Sequence, residues 1–524
     1  MNVATTARSP RSALGGVKSA EIHEVQEVVI GKDILELVSS AMYVDAMTIY
    51  REYVQNAADS IDAARVKGVL ALNEPGRVEI SIDPTSRTVT IRDNGGGIAF
   101  PQFARKLTAL GASTKRGTLA RGFRGVGRLG GLGYAQEVVF RSRVDGEKKV
   151  SQMRWDCRHL RAAFREIDEA SDVADLIRKI VTVERYEDSG APARFFEVEL
   201  KGVVRLRNDR LLSATAISDY LAQVAPVPFA PDFKFGEQVT AALRDRVNLG
   251  LLEIRVDGAV EPLYRPHRDR IICENKLTIA FQCVEIVEVP SIDGATAAIG
   301  WIAHHDYEGA LPNGALVKGI RLRSGNIQIG DSTLLEELFP ETRFNSWAVG
   351  EIHVLDRKII PNGRRDHFEQ NAHYHNLLNH LAPTARDIAR RCRTSSVQRK
   401  WAREFDLLAR SAKETIDIIK QGSVSRAERE RLALAAEQTF LQMSKVSSMD
   451  VLTEGRDERK KMTDKLKGKL ASAMSESHSD SSLLMRLPKA RRKTYEQFFE
   501  LIYQCSANKV AAKALIDRIL MKIQ

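Results

Sequence analysis

Between residues 34 and 69 apolar side chains recur at three- and four-residue steps: Leu35, Val38, Met42, Ala46, Ile49, Tyr53, Ala57 and Ile61. That period predicts one or two amphipathic helices, with Gly68 near the stop. The period then falls to two. Residues 77–82 and 88–92 alternate apolar with polar around Asp83-Pro84-Thr85-Ser86, a turn sequence, so a hairpin is predicted. Helical spacing returns over residues 100–110. Residues 111–133 form a long segment rich in Gly, Ser, Thr, Lys and Arg, and loops of that length inside a domain are usually functional. Alternation resumes at residues 137–144, 149–155, 180–186 and 195–200. The fold class this predicts is α+β, a mostly antiparallel sheet with helices on one face.

Further along, strands are predicted at residues 252–256, 278–288, 297–303, 319–323 and 348–354, giving a second α/β domain. From residue 384 the pattern becomes almost continuous helix, interrupted by Pro488 and a polar linker at residues 475–482. The expected division is a disordered arm over 1–20, a first domain over 21–210, a second over 215–383 and an all-α domain over 384–524. Helical domains of the last kind commonly pair with a second copy, so a homodimer is expected.

Composition changes this picture little. Of 524 residues, 43% are hydrophobic and 28% charged, as in ordinary globular chains. No apolar run is long enough for a membrane span, and residues 1–20 lack the apolar stretch of a secretory signal. Five scattered cysteines without a CxxC pair argue against a zinc site or disulfide framework and point to a reducing, cytoplasmic setting. The charge is more informative. Residues 384–524 carry 30 Lys+Arg and 18 Asp+Glu, or +12, so the remainder is at 11 − 12 = −1. A basic excess in one part suits an acidic or nucleic-acid partner, although solvated helix faces produce the same pattern.

Candidate chemistry concentrates in residues 50–133. Glu52, Asn56 and Asp59 share one face of the first predicted helix. Such a stripe could be no more than solvated surface. Functionally, Asn56 can offer an oxygen to magnesium, and Glu52, one turn earlier, can orient or deprotonate a water aimed at a phosphate. Asp93 ends a strand before Gly95, Gly96 and Gly97. It could serve a turn, or accept a hydrogen bond from the exocyclic amine of adenine while Gly95 and Gly97 admit the base. Gly125-Val126-Gly127-Arg128-Leu129-Gly130 matches the dinucleotide fingerprint, and Asp145 follows 20 residues after Gly125. The required strand does not precede it, so that reading fails, and no GxxxxGK[ST] sequence occurs. Gly122-x-x-Gly125-x-Gly127 instead suits a phosphate cradle of backbone N–H groups.

The order ExxxN on a helix, DxGxG after a strand, a lid-like loop and GxxGxG resembles the GHKL ATPase superfamily, which includes gyrase B, the ninety-kilodalton heat-shock chaperones, histidine kinases and MutL. The resemblance implies a Bergerat-type ATP-binding sandwich. It assigns magnesium to Asn56, water activation to Glu52, adenine to Asp93 with Gly95 and Gly97, and nucleotide contacts to Asp59. Ser113, Thr114 and Lys115 resemble the start of the ATP lid, and Gly122, Gly125 and Gly127 the phosphate loop. The kinase branch would need a phosphoacceptor histidine upstream, and His23 has no such context.

Residues 318–366 narrow the branch. Lys318-Gly319-Ile320-Arg321-Leu322-Arg323, then Phe339-Pro340-Glu341, then Ile360-Pro361-Asn362-Gly363-Arg364-Arg365 resemble the chaperones' middle domain. The resemblance puts Arg365, with Asn362 beside it, on the γ-phosphate, in the manner of an arginine finger. Lys318 keeps open the lysine used by MutL and gyrase B. Arg194 falls where the chaperones place a threonine near the nucleotide, a departure from their pattern, and the lid is unusually basic. The expected function is a magnesium-dependent ATPase working a clamp by domain closure on protein clients. The alternatives are a nucleic-acid clamp of the MutL or MORC kind and a switch that binds ATP without turnover.

Overall fold

The computed structural model describes residues 45–110, 121, 125, 127–165, 173–272, 278–312, 314–476 and 483–523. The predicted arm, the first predicted helix before residue 45 and much of the lid, including Ser113, Thr114, Lys115 and Gly122, lie outside them. The fold is mixed α and β, and the chain forms two compact units.

In the first unit the helices are α1 (Thr48–Val66), α2 (Phe100–Thr108), α3 (Cys157–Arg165) and α4 (Val173–Ile180). The strands are β1 (Gly76–Asp83), β2 (Thr88–Asp93), β3 (Glu137–Arg143), β4 (Lys149–Asp156), β5 (Val181–Glu187) and β6 (Phe195–Lys201). Their order is β5-β4-β3-β6-β2-β1, and every neighbouring pair among them is antiparallel. Period-two patterning shows directly in burial: β1 hides Val78 and Ile80 and exposes Glu79 and Ser81, each following one of them. The β1–β2 hairpin turns at Asp83, whose carboxylate accepts the Thr85 and Ser86 N–H groups at 2.9 and 3.2 Å, and Arg87 follows at φ 54°.

The second unit opens with α5 (Ala214–Val224), α6 (Gly236–Arg244), β7 (Leu252–Val256) and a small hairpin of β8 (Arg270–Ile272) and β9 (Thr278–Ala280). A five-stranded sheet follows, made of β10 (Cys283–Pro290), β11 (Thr296–His304), β12 (Gly319–Ser324), β13 (Ile327–Ile329) and β14 (Val349–Val354) in the order β10-β11-β14-β12-β13. Its β12–β14 pair is parallel and its other pairs antiparallel. The strand predicted over residues 278–288 is in fact two, broken where the Phe281 and Gln282 N–H groups bond to Asp269 and His304.

The two faces of this sheet differ. Ile302, Ile320, Leu322 and Ile352 on one face pack with Leu377, Leu381, Ala385 and Ile388 of α7 (Ala372–Gln421). The other face is charged yet buried. Register sets Arg321 opposite Glu351 and Arg323 opposite His353. Glu351 accepts from Arg323 Nε at 2.8 Å and from Arg265, and Arg265 also donates to Asn326 Oδ1 at 2.5 Å. Arg323 reaches the carbonyls of Asn326 and Gln223 at 2.8 and 2.5 Å. Burial, then the nearby guanidiniums, hold His267 and His353 well below the ordinary imidazole pKa, so both are neutral.

Continuous helix was expected from residue 384, yet α7 begins at Ala372, where the Asn371 side chain accepts the Tyr374 N–H at 2.9 Å. Pro383 lies inside it and has no N–H for the Asn379 carbonyl. Burial of Leu377, Leu381, Ala385 and Ile388 on either side of Pro383 offsets a proline cost of about 3 kcal/mol. The helix stops at Gly422, φ 65°. Its second half packs with α8 (Arg426–Ser447) and α9 (Arg456–Glu476) through Phe405, Ile416, Phe440, Met443, Leu466 and Leu470. The closing helices α10 (Lys489–Cys505) and α11 (Lys509–Lys522) pair through Phe499, Ile516 and Leu520.

Candidate active site

Helix α1 sinks its polar stripe into the first unit. Glu52 and Asp59 are 6% and 7% exposed, and Asn56 is half-buried. A solvated stripe would leave both carboxylates in water, so the surface alternative fails for these two. A buried carboxylate is costly unless paired. The Arg51 guanidinium lies 3.5 Å from Glu52 Oε1 and supplies part of the compensation.

The third motif comes to this same place. A Cβ on Gly127 would overlap Glu52 Oε2 and stand 3.1 Å from its Cδ, so glycine there is what lets the carboxylate occupy its position. Residues 127–133 form a 3-10 segment held against α1 by the buried Tyr53 hydroxyl. That hydroxyl accepts the Gly131 N–H at 3.1 Å and donates to the Arg128 carbonyl at 3.3 Å, and burial raises its pKa. At Gly131 a Cβ would meet the Tyr53 hydroxyl and Leu200 Cδ2, the latter at 2.7 Å. Gly125 has φ 71°, a conformation that favours glycine.

The second motif approaches α1 from the sheet. Asp93, at the end of β2, is 6% exposed, and its Oδ1 accepts the Gly95 N–H at 2.9 Å. Burial pushes this carboxyl up to about 7, against the lowering effect of that one N–H. A Cβ on Gly95 would lie 2.7 Å from Asp93 Oδ1 and 2.9 Å from Ser60 Cβ, so the strand end and the helix meet around a residue that must stay small. Gly97, φ 68°, leaves no room for a Cβ beside the Arg143 carbonyl, and the next N–H, of Ile98, is bound by the buried Ser142 hydroxyl at 2.7 Å.

Glu52, Asn56, Asp59, Asp93, Gly95 and Gly127 are thus carried by elements of one unit that touch at Gly95 and Gly127. Arg194 spends its charge on Glu74, with Nη2 2.9 Å from Oε1. In the second unit Arg365 sits in a loop closed by the Pro361–Phe368 bridge. The Asn362 N–H bonds to the His367 carbonyl at 2.9 Å, and Asn362 Nδ2 to Asp366 at 2.6 Å. Arg364 is exposed, whereas Arg365 is 7% exposed and holds φ 56°. A left-handed backbone at a non-glycine residue costs about 1–3 kcal/mol and is concentrated at functional positions. The Arg365 guanidinium donates to the carbonyl of Arg121 at 2.8 Å, and Arg121 Nε donates to the Gly325 carbonyl at 2.6 Å, all three residues grouping with the second unit. Lys318, the alternative, is half-buried in the turn before β12.

Sequence reasoning did not single out Arg51, Tyr53, Ser60 or Ser142. Tyr53 carried a usable signal, since a tyrosine beside Glu52 on the apolar stripe buries its ring and must find a partner for its hydroxyl.

No protein-family model matches the chain. Three bacterial proteins named chaperone protein HtpG are similar to part of it. The protein from Gluconobacter oxydans is 37% identical over 103 residues, 19% of this chain and 16% of its own. That from Burkholderia ambifaria is 24% identical over 197 residues, 34% of this chain and 30% of its own. That from Escherichia coli is 30% identical over 145 residues, 24% of this chain and 23% of its own. The matched stretches span less than a third of those relatives. Over that part of its length, this chain is related to the HtpG chaperones.

Proposed function

We propose that this chain is a magnesium-dependent ATPase of the GHKL type, chaperone-like in acting on protein clients. The observation that carries the reading is the meeting of Glu52 with Gly127 and of Asp93 with Gly95 around one buried helix face. Asp93 accepts the exocyclic amine of adenine, and the glycines at 95 and 97 keep the approach to it open. Glu52, held by Arg51 and pressed on the glycine segment, orients and deprotonates the water that attacks the γ-phosphate. Asp59, Gly125 and, outside the described residues, Ser113, Thr114, Lys115 and Gly122 complete the nucleotide contacts.

The donor set fits magnesium. Asn56 offers a neutral oxygen from a half-buried position one turn from Glu52, and magnesium takes few protein oxygens when phosphates supply the rest. Bound there, the ion would neutralise phosphate charge. Arg365, pre-set in its strained loop, is the cation that the resemblance brings to the γ-phosphate as nucleotide binding closes the clamp. Dimerisation is supported by apolar side chains left outside on the closing helices: Phe498, Leu501, Val510 and Met521 are 50%, 55%, 58% and 72% exposed.

ATP turnover by the full chain and by Glu52→Ala tests the reading. Loss of a general base lowers kcat by about 10²–10⁴-fold, and the ATP Kd should stay within about threefold because Glu52 acts on the water. Equal turnover in the two proteins would refute the assignment.

A further inference from the structure

Helix α9 divides its surface sharply. Thr463, Leu466, Leu470 and Ala473 are buried, with the last three in the core shared with α7 and α8. Lys461, Lys465 and Lys469 are exposed at four-residue steps along a flank of the helix outside that buried stripe, about 6 Å apart along the axis. Between Arg459 and Lys469 the chain has six basic residues and one acidic, Asp464. No ion pair of these three lysines occurs among the described residues. Their charge is therefore not spent on the fold.

Gly468 lies among them in mid-helix. A glycine there costs about 1 kcal/mol relative to alanine. At Gly95, Gly127 and Gly131 close neighbours explain the glycine, and at Gly68, Gly146, Gly258 and Gly294 a positive φ does, but Gly468 is helical and a Cβ on it would meet nothing within 4 Å. Ser472, one turn on, folds its hydroxyl back to the Gly468 carbonyl at 3.1 Å and adds no bulk. The lysine row is thus flanked by a smooth strip where another backbone can lie close.

We infer that the Lys461–Lys465–Lys469 face of α9 is a docking surface for the phosphate backbone of duplex nucleic acid. Phosphate contacts need cations and close approach, and no base-reading groups. The row contains no aromatic side chain, which single strands use for stacking and protein interfaces use as anchors. Met462, 46% exposed, lies only at its edge. The basic excess of residues 384–524 supplies the long-range attraction. This surface stands independently of the ATPase reading.

The test is fluorescence anisotropy of the full chain with a labelled duplex of about two turns, from 50 to 200 mM salt. The wild type should bind, more weakly as salt rises. The triple variant K461E/K465E/K469E should lose at least about tenfold in affinity, and its log–log salt slope should fall by about 3, near 0.9 for each phosphate no longer neutralised. Because these side chains are exposed, circular dichroism should be unchanged, and K489E/R491E/K493E on α10, also three charge reversals at exposed positions, serves as a charge-matched control expected to bind more tightly than the triple variant. No binding by wild type at 50 mM salt, equal binding by the triple variant, or an equal loss in the control would overturn the inference. Competition by polyglutamate as effective as that by unlabelled duplex would also overturn it, in favour of an acidic protein.

Discussion

Asp93 and Glu351 are both buried carboxylates, one at the end of β2 in the first unit and one in the middle of β14 in the second. Their surroundings are opposite. Glu351 is met by two guanidiniums, from Arg265 and Arg323. Asp93 has the Gly95 N–H on Oδ1 and a proton affinity raised by burial to near neutrality. A carboxylate whose partners come from the fold contributes to the fold. One whose donor among the described residues is a single backbone N–H is stabilised further when a ligand supplies another, and that is a property of binding sites.

The largest expected effect comes from breaking the completed pair. Glu351→Gln leaves Arg265 and Arg323 buried without their carboxylate and should destabilise the second unit by about 3–5 kcal/mol in urea unfolding. The matching change in the first unit should act in the opposite direction. Asp93→Asn removes a charge that the ligand-free fold disfavours and should stabilise that unit by about 1–3 kcal/mol at pH 8. A loss of stability comparable to that of Glu351→Gln would erase the distinction.

A pH series sharpens the contrast further. His267 and His353 hold pKa values well below 6.5 when folded, so the unfolded chain binds more protons as pH falls. Their contribution to stability is complete above pH 6.5 and is lost below it, by up to about 1.4 kcal/mol per pH unit for each group. Asp93, raised from 3.8 to about 7, gives the reverse sign: its contribution is complete below 3.8 and is lost as pH rises toward 7. Unfolding midpoints followed by local probes in each unit should therefore shift in opposite senses between pH 4 and 6.5.

Most strands of both sheets and the hairpin at Asp83 were legible because period-two alternation and turn chemistry are local signals. The start of α7 was not, because a proline ordinarily marks a boundary, and only the apolar residues around Pro383 packing on the sheet reverse that rule. The three strand residues Ile327, Gln328 and Ile329 are too short a run to show a period, and β8 was missed for the same reason. At the site, motif order brought out Glu52, Asn56 and Asp93. It did not show that Glu52 is buried, that Tyr53 fastens the glycine segment or that Arg51 pairs with Glu52, since each depends on how the side chains pack in three dimensions. The charged face of the second sheet was likewise hidden, because Arg321, Arg323 and Glu351 read along the chain as ordinary outward positions of strands.

The central claim, that Asp93 is an acceptor waiting for a nucleobase, is tested most directly by calorimetric titration of magnesium-ATP into the wild type and Asp93→Asn. Replacing the acceptor with an amide that faces the adenine amine should weaken binding by at least about tenfold, or 1.4 kcal/mol, in a protein that is otherwise folded and no less stable. Equal affinity in the two proteins, or no heat of binding in the wild type, would contradict that claim.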